Sequence, residues 1–207
     1  MAAVLVAAGC ALGAAALAPV LVRLAEATAH RKAATRATVR LALAAALAGV
    51  GAVAGARLEA GHAVGLLLVV VLAGAAALVD ARERRLPDVL TGSLATVVAV
   101  AILLAVLGGD ADGSRAMYGF VTGLLVALVG KWVSDQAVGW GDVKLAPSLT
   151  ACLAWSGWLT VYVGMLAWAL GILTTVALLT VRARRAVIVP YGPAMVTGTL
   201  IAVLITA

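Results

Sequence analysis

Cysteine and histidine, which build most protein metal sites, are nearly absent from this chain of 207 residues. Its two cysteines, Cys10 and Cys152, lie in separate apolar runs and form no CxxC pair, which argues against a zinc site or a disulfide framework. The sequence contains neither the HExxH motif of zinc peptidases nor a glycine-rich loop with a P-loop lysine. We therefore predict no bound metal and no cofactor.

Acidic and aromatic residues are also scarce. Aromatic residues make up 4% of the chain, and nine acidic residues face 15 basic ones, which gives a formal charge of +6. The basic residues fall in short junctions between apolar runs and form no stripe with interleaved aromatic residues. This arrangement is typical of membrane topology signals, so we predict no nucleic-acid partner.

Long apolar runs dominate the chain. It is 65% hydrophobic, and its mean hydropathy of +1.16 lies far above the range of soluble domains. Because about 20 apolar residues cross the core of a bilayer, the runs predict an all-α transmembrane helical bundle of about eight spans, with seven as the alternative. The predicted spans cover residues 3–22, 37–56, 62–80, 88–107, 117–134, 143–155, 158–181 and 189–206. No soluble domain interrupts them, so residues 1–207 are predicted to form one integral membrane domain.

The sixth and seventh predicted spans share one apolar run. This run, from Leu145 to Val181, is too long for a single span. Within it, the sequence Trp155-Ser-Gly-Trp158 predicts a tight turn, with the tryptophans at the membrane interface where this residue is enriched. The turn therefore separates the two spans.

The positions of the basic residues predict the orientation in the membrane. All but two of the 15 lysine and arginine residues, Arg57 and Arg115, fall in or beside the odd-numbered junctions. Since cytoplasmic junctions carry an excess of positive charge, these junctions are predicted to face the cytoplasm and the N-terminus to lie outside. Positive charge follows the first apolar run rather than preceding it, which indicates a retained span and not a signal peptide.

Two acidic residues are predicted to meet at one face of the membrane. Asp80 ends the third predicted span, and Asp142 opens the sixth within the sequence VGWGDVKL. Two spans separate them, so the chain crosses the membrane and returns to the cytoplasmic face. Neighbouring carboxylates share a proton, because ionisation of one raises the pKa of the other. The ionised group can then take a proton from water while the protonated group polarises a carbonyl, as in aspartic peptidases.

The glycines of the same sequence admit more than one interpretation. Gly139 and Gly141 keep side chains away from the backbone before Asp142, so either a substrate backbone approaches closely or the chain turns with a positive φ. An aspartate at the start of a helix is also commonly only a cap. The arginines of the sequence DARERR, which begins at Asp80, could simply neutralise the acids. From these residues alone, the catalytic and structural interpretations both remain open.

The other charged residues have mainly structural interpretations. Asp88 follows Pro87 and is predicted to cap the fourth span, because proline suits the first turn of a helix. Lys144 lies two residues after Asp142 and would point to another helical face, where it would bind a lipid phosphate or set the depth of the helix. Solvated loop charges are predicted at Glu26, Glu59, Asp110 and Asp112.

Three elements of the sequence together resemble the type IV prepilin peptidases, membrane aspartic peptidases of the GxGD class. They are DARERRLPD, GWGDVKLAPSL and VPYGPAMVTGTL, and they extend the resemblance over residues 62–207. The resemblance implies an endopeptidase that removes the short basic leader from type IV prepilin or pseudopilin precursors at the cytoplasmic membrane face. Such a partner carries a basic leader followed by a hydrophobic helix.

The resemblance also assigns roles to individual residues. It implies that Asp80 and Asp142 are the catalytic aspartates and that Gly139, Gly141 and Lys144 belong to the active-site motif. It further places a possible substrate region at Pro190, Tyr191, Gly192 and Pro193. A purely structural kink caused by the two prolines is an equally good interpretation of that last segment.

One departure from the larger members of this family limits what the resemblance implies. Those members carry a cytoplasmic domain with paired cysteines after the first span, and they also N-methylate the product. The corresponding junction here, RLAEATAHRKAATR, is short and contains no cysteine. The chain is therefore similar to the short members, and we predict neither zinc nor methyltransferase activity.

Two rival interpretations remain at this stage. In a membrane carrier or assembly factor without enzymatic activity, Asp80 and Asp142 would be proton-relay or ion-pair groups. Such a carrier would be expected to contain inverted repeats, and we find none. A presenilin-like peptidase would share the two aspartates, but the LPD and GDVKL sequences favour the prepilin peptidases.

The predicted orientation can be tested by labelling single cysteines in intact cells. A cysteine at Arg84 should react with a membrane-impermeant thiol reagent only after the cells are opened, because its junction is predicted to be cytoplasmic. A cysteine at Arg115 should instead react in intact cells. Labelling of position 84 from outside would contradict the orientation and the location of the two aspartates.

Overall fold

The computed structural model describes residue 12 and residues 15–29, 60–133, 138–183 and 190–206, and most of these residues are helical. Among them we find seven helices and no strand, in agreement with the predicted all-α class. The helices are α1 (Ala18–Thr28), α2 (Ala60–Glu83), α3 (Asp88–Leu107), α4 (Ala111–Val133), α5 (Trp140–Ser156), α6 (Trp158–Ala183) and α7 (Gly192–Thr206).

Within the described ranges, three helical segments are long and apolar enough to cross a membrane. They are Asp88–Leu107, Ala111–Val133 and Trp158–Leu178. The second predicted span, 37–56, lies outside the described residues, and the first is described only in part. The number of about eight spans and the external N-terminus therefore stay predictions.

The predicted turn between the sixth and seventh spans is confirmed. Helix α5 ends at Ser156 and α6 begins at Trp158, so a single residue joins them. That residue, Gly157, has φ 139° and ψ 162°, a conformation that a residue with a Cβ rarely adopts. The glycine thus allows one continuous apolar run to form two separate helices.

Helix α4 begins earlier than the sequence indicated, because the acids before it are structural. It starts at Ala111 rather than near 117. The Oδ1 atom of Asp110 accepts the backbone N–H of Asp112 at 2.9 Å, and Asp112 forms an ion pair of 2.7 Å with Arg115. Asp110 lies in the loop as predicted, whereas Asp112 lies inside the helix, and both stabilise the first turn of α4.

Helices α4 and α5 pack tightly along small residues. A Cβ at Gly119 would overlap the Cβ of Ala154, and one at Gly123 would lie 2.6 Å from Thr150 Oγ1. At the end of α5, the Arg115 guanidinium donates to the carbonyl oxygens of Ala154 at 2.5 Å and of Trp155 at 2.7 Å. A cation at a helix C-terminus satisfies carbonyls that lack an intrahelical partner, so α5 is held firmly on α4.

Helix α5 lies at the centre of the described bundle. Its leucines at positions 145, 149 and 153 are fully buried, and it packs against α3, α4, α6 and α7. Helix α2 packs against α1, α3 and α7 but shares little direct packing with α5. The two helices are therefore connected mainly through α3 and α7.

Short turns bring several helix termini to one end of the bundle. The connections α2–α3 and α3–α4 each span only a few residues, so consecutive helices run in opposite directions. As a result, the end of α2 and the starts of α3, α5 and α7 share one end. Since Asp80 lies near the end of α2 and Asp142 near the start of α5, we call this end the carboxylate end.

Candidate active site

Asp80 is a buried carboxylate in the last turn of α2. It is 5% exposed, and its Oδ2 atom accepts the backbone N–H of Gly192 at 2.9 Å. Gly192 is the first residue of α7, so its amide is one of the donors that a helix N-terminus leaves without an intrahelical partner. The positive end of the α7 dipole therefore faces Asp80.

Asp142 lies in the first turn of α5 and is partly exposed. Its Oδ2 atom accepts the backbone N–H of Gly139, the residue that precedes the helix, at 3.2 Å. Gly139 has φ −74° and ψ 151°, an extended conformation open to any residue. No positive φ is found at Gly139 or Gly141, so neither glycine is needed for a turn of that conformation.

The two carboxylates interact although they are distant in the sequence. Burial raises the pKa of Asp142, and the charge of Asp80 raises it further, to about 6, against the opposing effect of the Gly139 amide. Asp142 precedes the apolar segment 143–155 and so belongs to the end of the bundle rather than to a span. This coupling is what a pair of carboxylates sharing one proton requires.

Gly141 allows the first turn of α5 to approach the corner between α2 and α3. A Cβ on Gly141 would lie 2.6 Å from the Cβ of Leu86, closer than real Cβ contacts come. Leu86 is itself partly buried and packs against two clusters of buried apolar side chains, so it has little room to move. The absence of a side chain at Gly141 therefore serves contact within the protein.

The corner itself leaves α2 through an unusual backbone conformation. Arg84 has φ 54°, in the left-handed region that non-glycine residues rarely occupy. Its amide donates to the carbonyl oxygen of Asp80 at 2.8 Å, and the neighbouring Arg85 forms an ion pair of 3.1 Å with Glu83. The arginine at position 85 thus balances Glu83, while the backbone of Arg84 ends the helix that carries Asp80.

Lys144 and Asp88 form an ion pair at the same end. Lys144 Nζ lies 2.6 Å from Asp88 Oδ1. Asp88 is the first residue of α3, and the residue before that helix, Pro87, makes no capping hydrogen bond through its side chain. Asp88 is thus the first residue of the helix rather than the predicted cap residue, and its negative charge suits the helix N-terminus. The ammonium of Lys144 binds the carboxylate of Asp88, and its predicted contact with a lipid phosphate or role in setting the depth of the helix stays a prediction.

The segment with two prolines forms the start of α7. Pro190 and Tyr191 precede the helix, and Pro193 lies in its first turn, where a proline costs no hydrogen bond. Within this segment, the Gly192 amide donates to Asp80. Sequence reasoning placed the segment near the site, but it missed this hydrogen bond and the role of Leu86.

Trp140, the first residue of α5, lies at the surface beside Lys131. Trp140 is 61% exposed, and Lys131 Nζ lies 5.5 Å from its ring centroid, within the range of a cation–π contact. Among the described residues, no three histidine, cysteine or acidic side chains converge as metal ligands would.

The sequence of residues 66–181 matches the type IV leader peptidase family. The chain belongs to this family. Searches of curated proteins and of solved structures found no match. The matched residues include both aspartates and the glycines before Asp142, whereas Gly192 lies outside them. Together with the three long apolar helices, the match identifies a membrane peptidase.

The contact between Gly141 and Leu86 predicts a steric effect that substitution can reveal. Gly141→Ala should lower the melting temperature and the peptidase activity, because the new Cβ would overlap Leu86 and move the first turn of α5. Gly92→Ala in α3 is the matched control, since nothing lies within 4 Å of its new Cβ. Leu86→Gly, which removes the Cβ that the new methyl group would meet, should partly rescue Gly141→Ala. Equal stability of the two alanine variants would contradict the proposed overlap.

The raised pKa of Asp142 predicts a dependence of stability on pH. The folded protein binds a proton more tightly than the unfolded chain, whose pKa is near 3.8. The stability from this group is present below pH 3.8 and is lost as the pH rises through about 6. Asp142→Asn should therefore melt a few degrees above the wild type at pH 8 and show little difference near pH 4. Thermal unfolding in detergent at several pH values measures this, and a constant difference would contradict it.

Proposed function

We propose that this chain is an aspartic endopeptidase in which Asp80 and Asp142 activate water to remove the short basic leader of type IV prepilin-like precursors. The observation that supports it most directly is the electrostatic coupling of these two carboxylates within the segment that matches the leader peptidase family. The cleavage takes place at the cytoplasmic face of the cell membrane. This location rests on the distribution of basic residues along the chain.

The chemistry needs one proton on the pair and one water molecule between the carboxylates and the scissile bond. The ionised carboxylate takes a proton from water, and the water oxygen bonds to the carbonyl carbon of the peptide. The protonated carboxyl gives its proton to the carbonyl oxygen, so a neutral tetrahedral intermediate forms. The carbon–nitrogen bond then breaks as the nitrogen takes the proton that came from water. The intermediate's hydroxyl proton returns to the pair, which restores its single proton.

Two backbone amides prepare the pair for this reaction. The Gly192 amide holds Asp80 Oδ2 and the Gly139 amide holds Asp142 Oδ2. Each carboxylate thus has one oxygen fixed in orientation, and its Oδ1 atom is left to act on water or on the peptide. Fixed groups need little reorganisation as the reaction proceeds, which lowers its barrier.

The arrangement of the helices suits a substrate that is partly embedded in the membrane. Helices α2 and α5 share little packing, and the aspartates lie near the ends of these helices. A precursor whose hydrophobic helix enters the bilayer would present the bond before that helix at the carboxylate end. Carriers hold their ionisable groups near the bilayer midplane, so this position favours the peptidase over the carrier interpretation.

Substitution of the two aspartates tests the proposal. Asp80→Asn and Asp142→Asn should each lower leader removal by about two to four orders of magnitude, because asparagine retains the volume but cannot exchange the proton. The double variant should lose little more than either single variant, since residues that act as a unit are not additive. The assay expresses a pilin precursor together with each variant and follows its decrease in size on a gel.

Asp112→Asn provides the matched control for these variants. Asp112 is also a carboxylate in the first turn of a helix, but it lies at the opposite end of the bundle, beside Arg115. This variant should process the precursor at nearly the wild-type rate. Full processing by Asp142→Asn would contradict the aspartic mechanism and favour the carrier interpretation, in which these acids relay protons.

A further inference from the structure

The helices that carry the two aspartates hardly touch, so another part of the structure must set the distance between the carboxylates. Helices α2 and α5 are connected through α3 and α7. At the carboxylate end, the start of α5 meets the α2–α3 corner and the first residue of α3 through two contacts. One is the close approach of Gly141 to Leu86, and the other is the ion pair between Lys144 and Asp88.

Each partner of this ion pair is rigidly connected to one of the aspartates. Asp88 follows Asp80 across the short α2–α3 corner, which is fixed by the hydrogen bond from the Arg84 amide to the Asp80 carbonyl oxygen. Lys144 lies two residues after Asp142 in the same helix. A contact between Asp88 and Lys144 therefore connects two units that carry one aspartate each.

We propose that Asp88 and Lys144 are positioning residues that hold the first turn of α5 against the α2–α3 corner and so set the separation of Asp80 and Asp142. This inference rests on the proposed catalytic role of the aspartates. Neither side chain of the pair needs to touch the substrate. The short Nζ–Oδ1 distance of 2.6 Å and the tight contact of Gly141 beside it carry the inference.

The exposure of the Lys144–Asp88 ion pair predicts which measurements would detect its loss. The side chain of Lys144 is 46% exposed and that of Asp88 is 79% exposed, and exposed ion pairs contribute little to global stability. Catalysis is more sensitive, because a displacement of about 1 Å can lower a rate by up to about a hundredfold. Breaking the pair should therefore lower kcat while the melting temperature and KM stay nearly unchanged.

The first experiment measures kcat and KM for purified full-length variants with a precursor peptide. Asp88→Asn and Lys144→Gln should each lower kcat by about tenfold, within the range expected for a small displacement. The variant that carries both substitutions should lose no more than either one, because both remove the same contact. The charge swap, Asp88→Lys with Lys144→Asp, should restore much of kcat.

The pH dependence of kcat/KM distinguishes two effects of the substitutions. One is a change in the distance between Asp80 and Asp142, and the other is a direct effect of the removed charge on their pKa values. Besides the pair itself, the charged or titratable groups at this end of the described residues are Asp80 and Glu83 on α2, the corner arginines, Lys131 on α4, and Tyr191 before α7. None of these groups is altered in the variants. A shift between variants therefore reports on the pair alone.

The two explanations predict opposite shifts for one of the variants. If the aspartates move apart, their coupling weakens, and the basic limb of the profile moves to lower pH in both Asp88→Asn and Lys144→Gln. If only charge matters, removal of the lysine moves that limb to higher pH, whereas removal of the aspartate moves it to lower pH. A shift in the same direction supports the positioning role, and opposite shifts overturn it.

Other outcomes would also overturn the inference. An increase of KM in Asp88→Asn alone, without a change in Lys144→Gln, would mean that Asp88 binds the basic leader directly. Additive losses in the double variant would mean that the residues act independently, and this result stands even if the charge swap fails to fold. Asp142→Asn in the same assay keeps the hypotheses apart, since its activity reports on the aspartic mechanism and not on the ion pair.

Discussion

The electrostatic coupling of Asp80 and Asp142 is the constraint on which the rest of the site depends. Removing two like charges from water and placing them side by side is unfavourable, and the pair responds by retaining a proton, as the raised pKa of Asp142 indicates. The protein offsets part of this cost with backbone amides at two helix starts, those of Gly192 and Gly139. The same features that make the pair costly for stability make it suitable for the proposed chemistry, because a coupled pair holds both an acid and a base.

The two helices that carry the aspartates are held in the bundle by different contacts. Helix α5 is held on α4 by close packing of small residues along its length and by Arg115 at its far end. Its connection to α2 is indirect, through α3 and α7, with the ion pair of Lys144 and Asp88 at the carboxylate end. Asp142 is thus fixed within one unit and Asp80 within another. The geometry of a site divided in this way depends on a few contacts.

Much of the fold could be predicted from the sequence, whereas several details of the site could not. The apolar runs and the glycine turn at position 157 agree with the described helices, and the two aspartates lie at one end as the crossing pattern predicted. Asp88 lies one residue beyond the predicted cap position, and its ion pair with Lys144 was not predicted. Each of these residues has its partner in a distant part of the chain. A prediction from neighbouring residues cannot identify such a partner.

The sequence by itself determined where helices form, which segments are apolar enough for a membrane, and to which family the chain belongs. These properties depend on local composition and on short motifs, so they can be recognised without a structure. Only the tertiary structure decided that Gly192 donates to Asp80, that Leu86 lies against Gly141, and that Lys144 pairs with Asp88. Helices that are apolar on all sides carry little information about which face meets a neighbour. Their rotation and spacing follow from packing between helices, and that packing places the two carboxylates together.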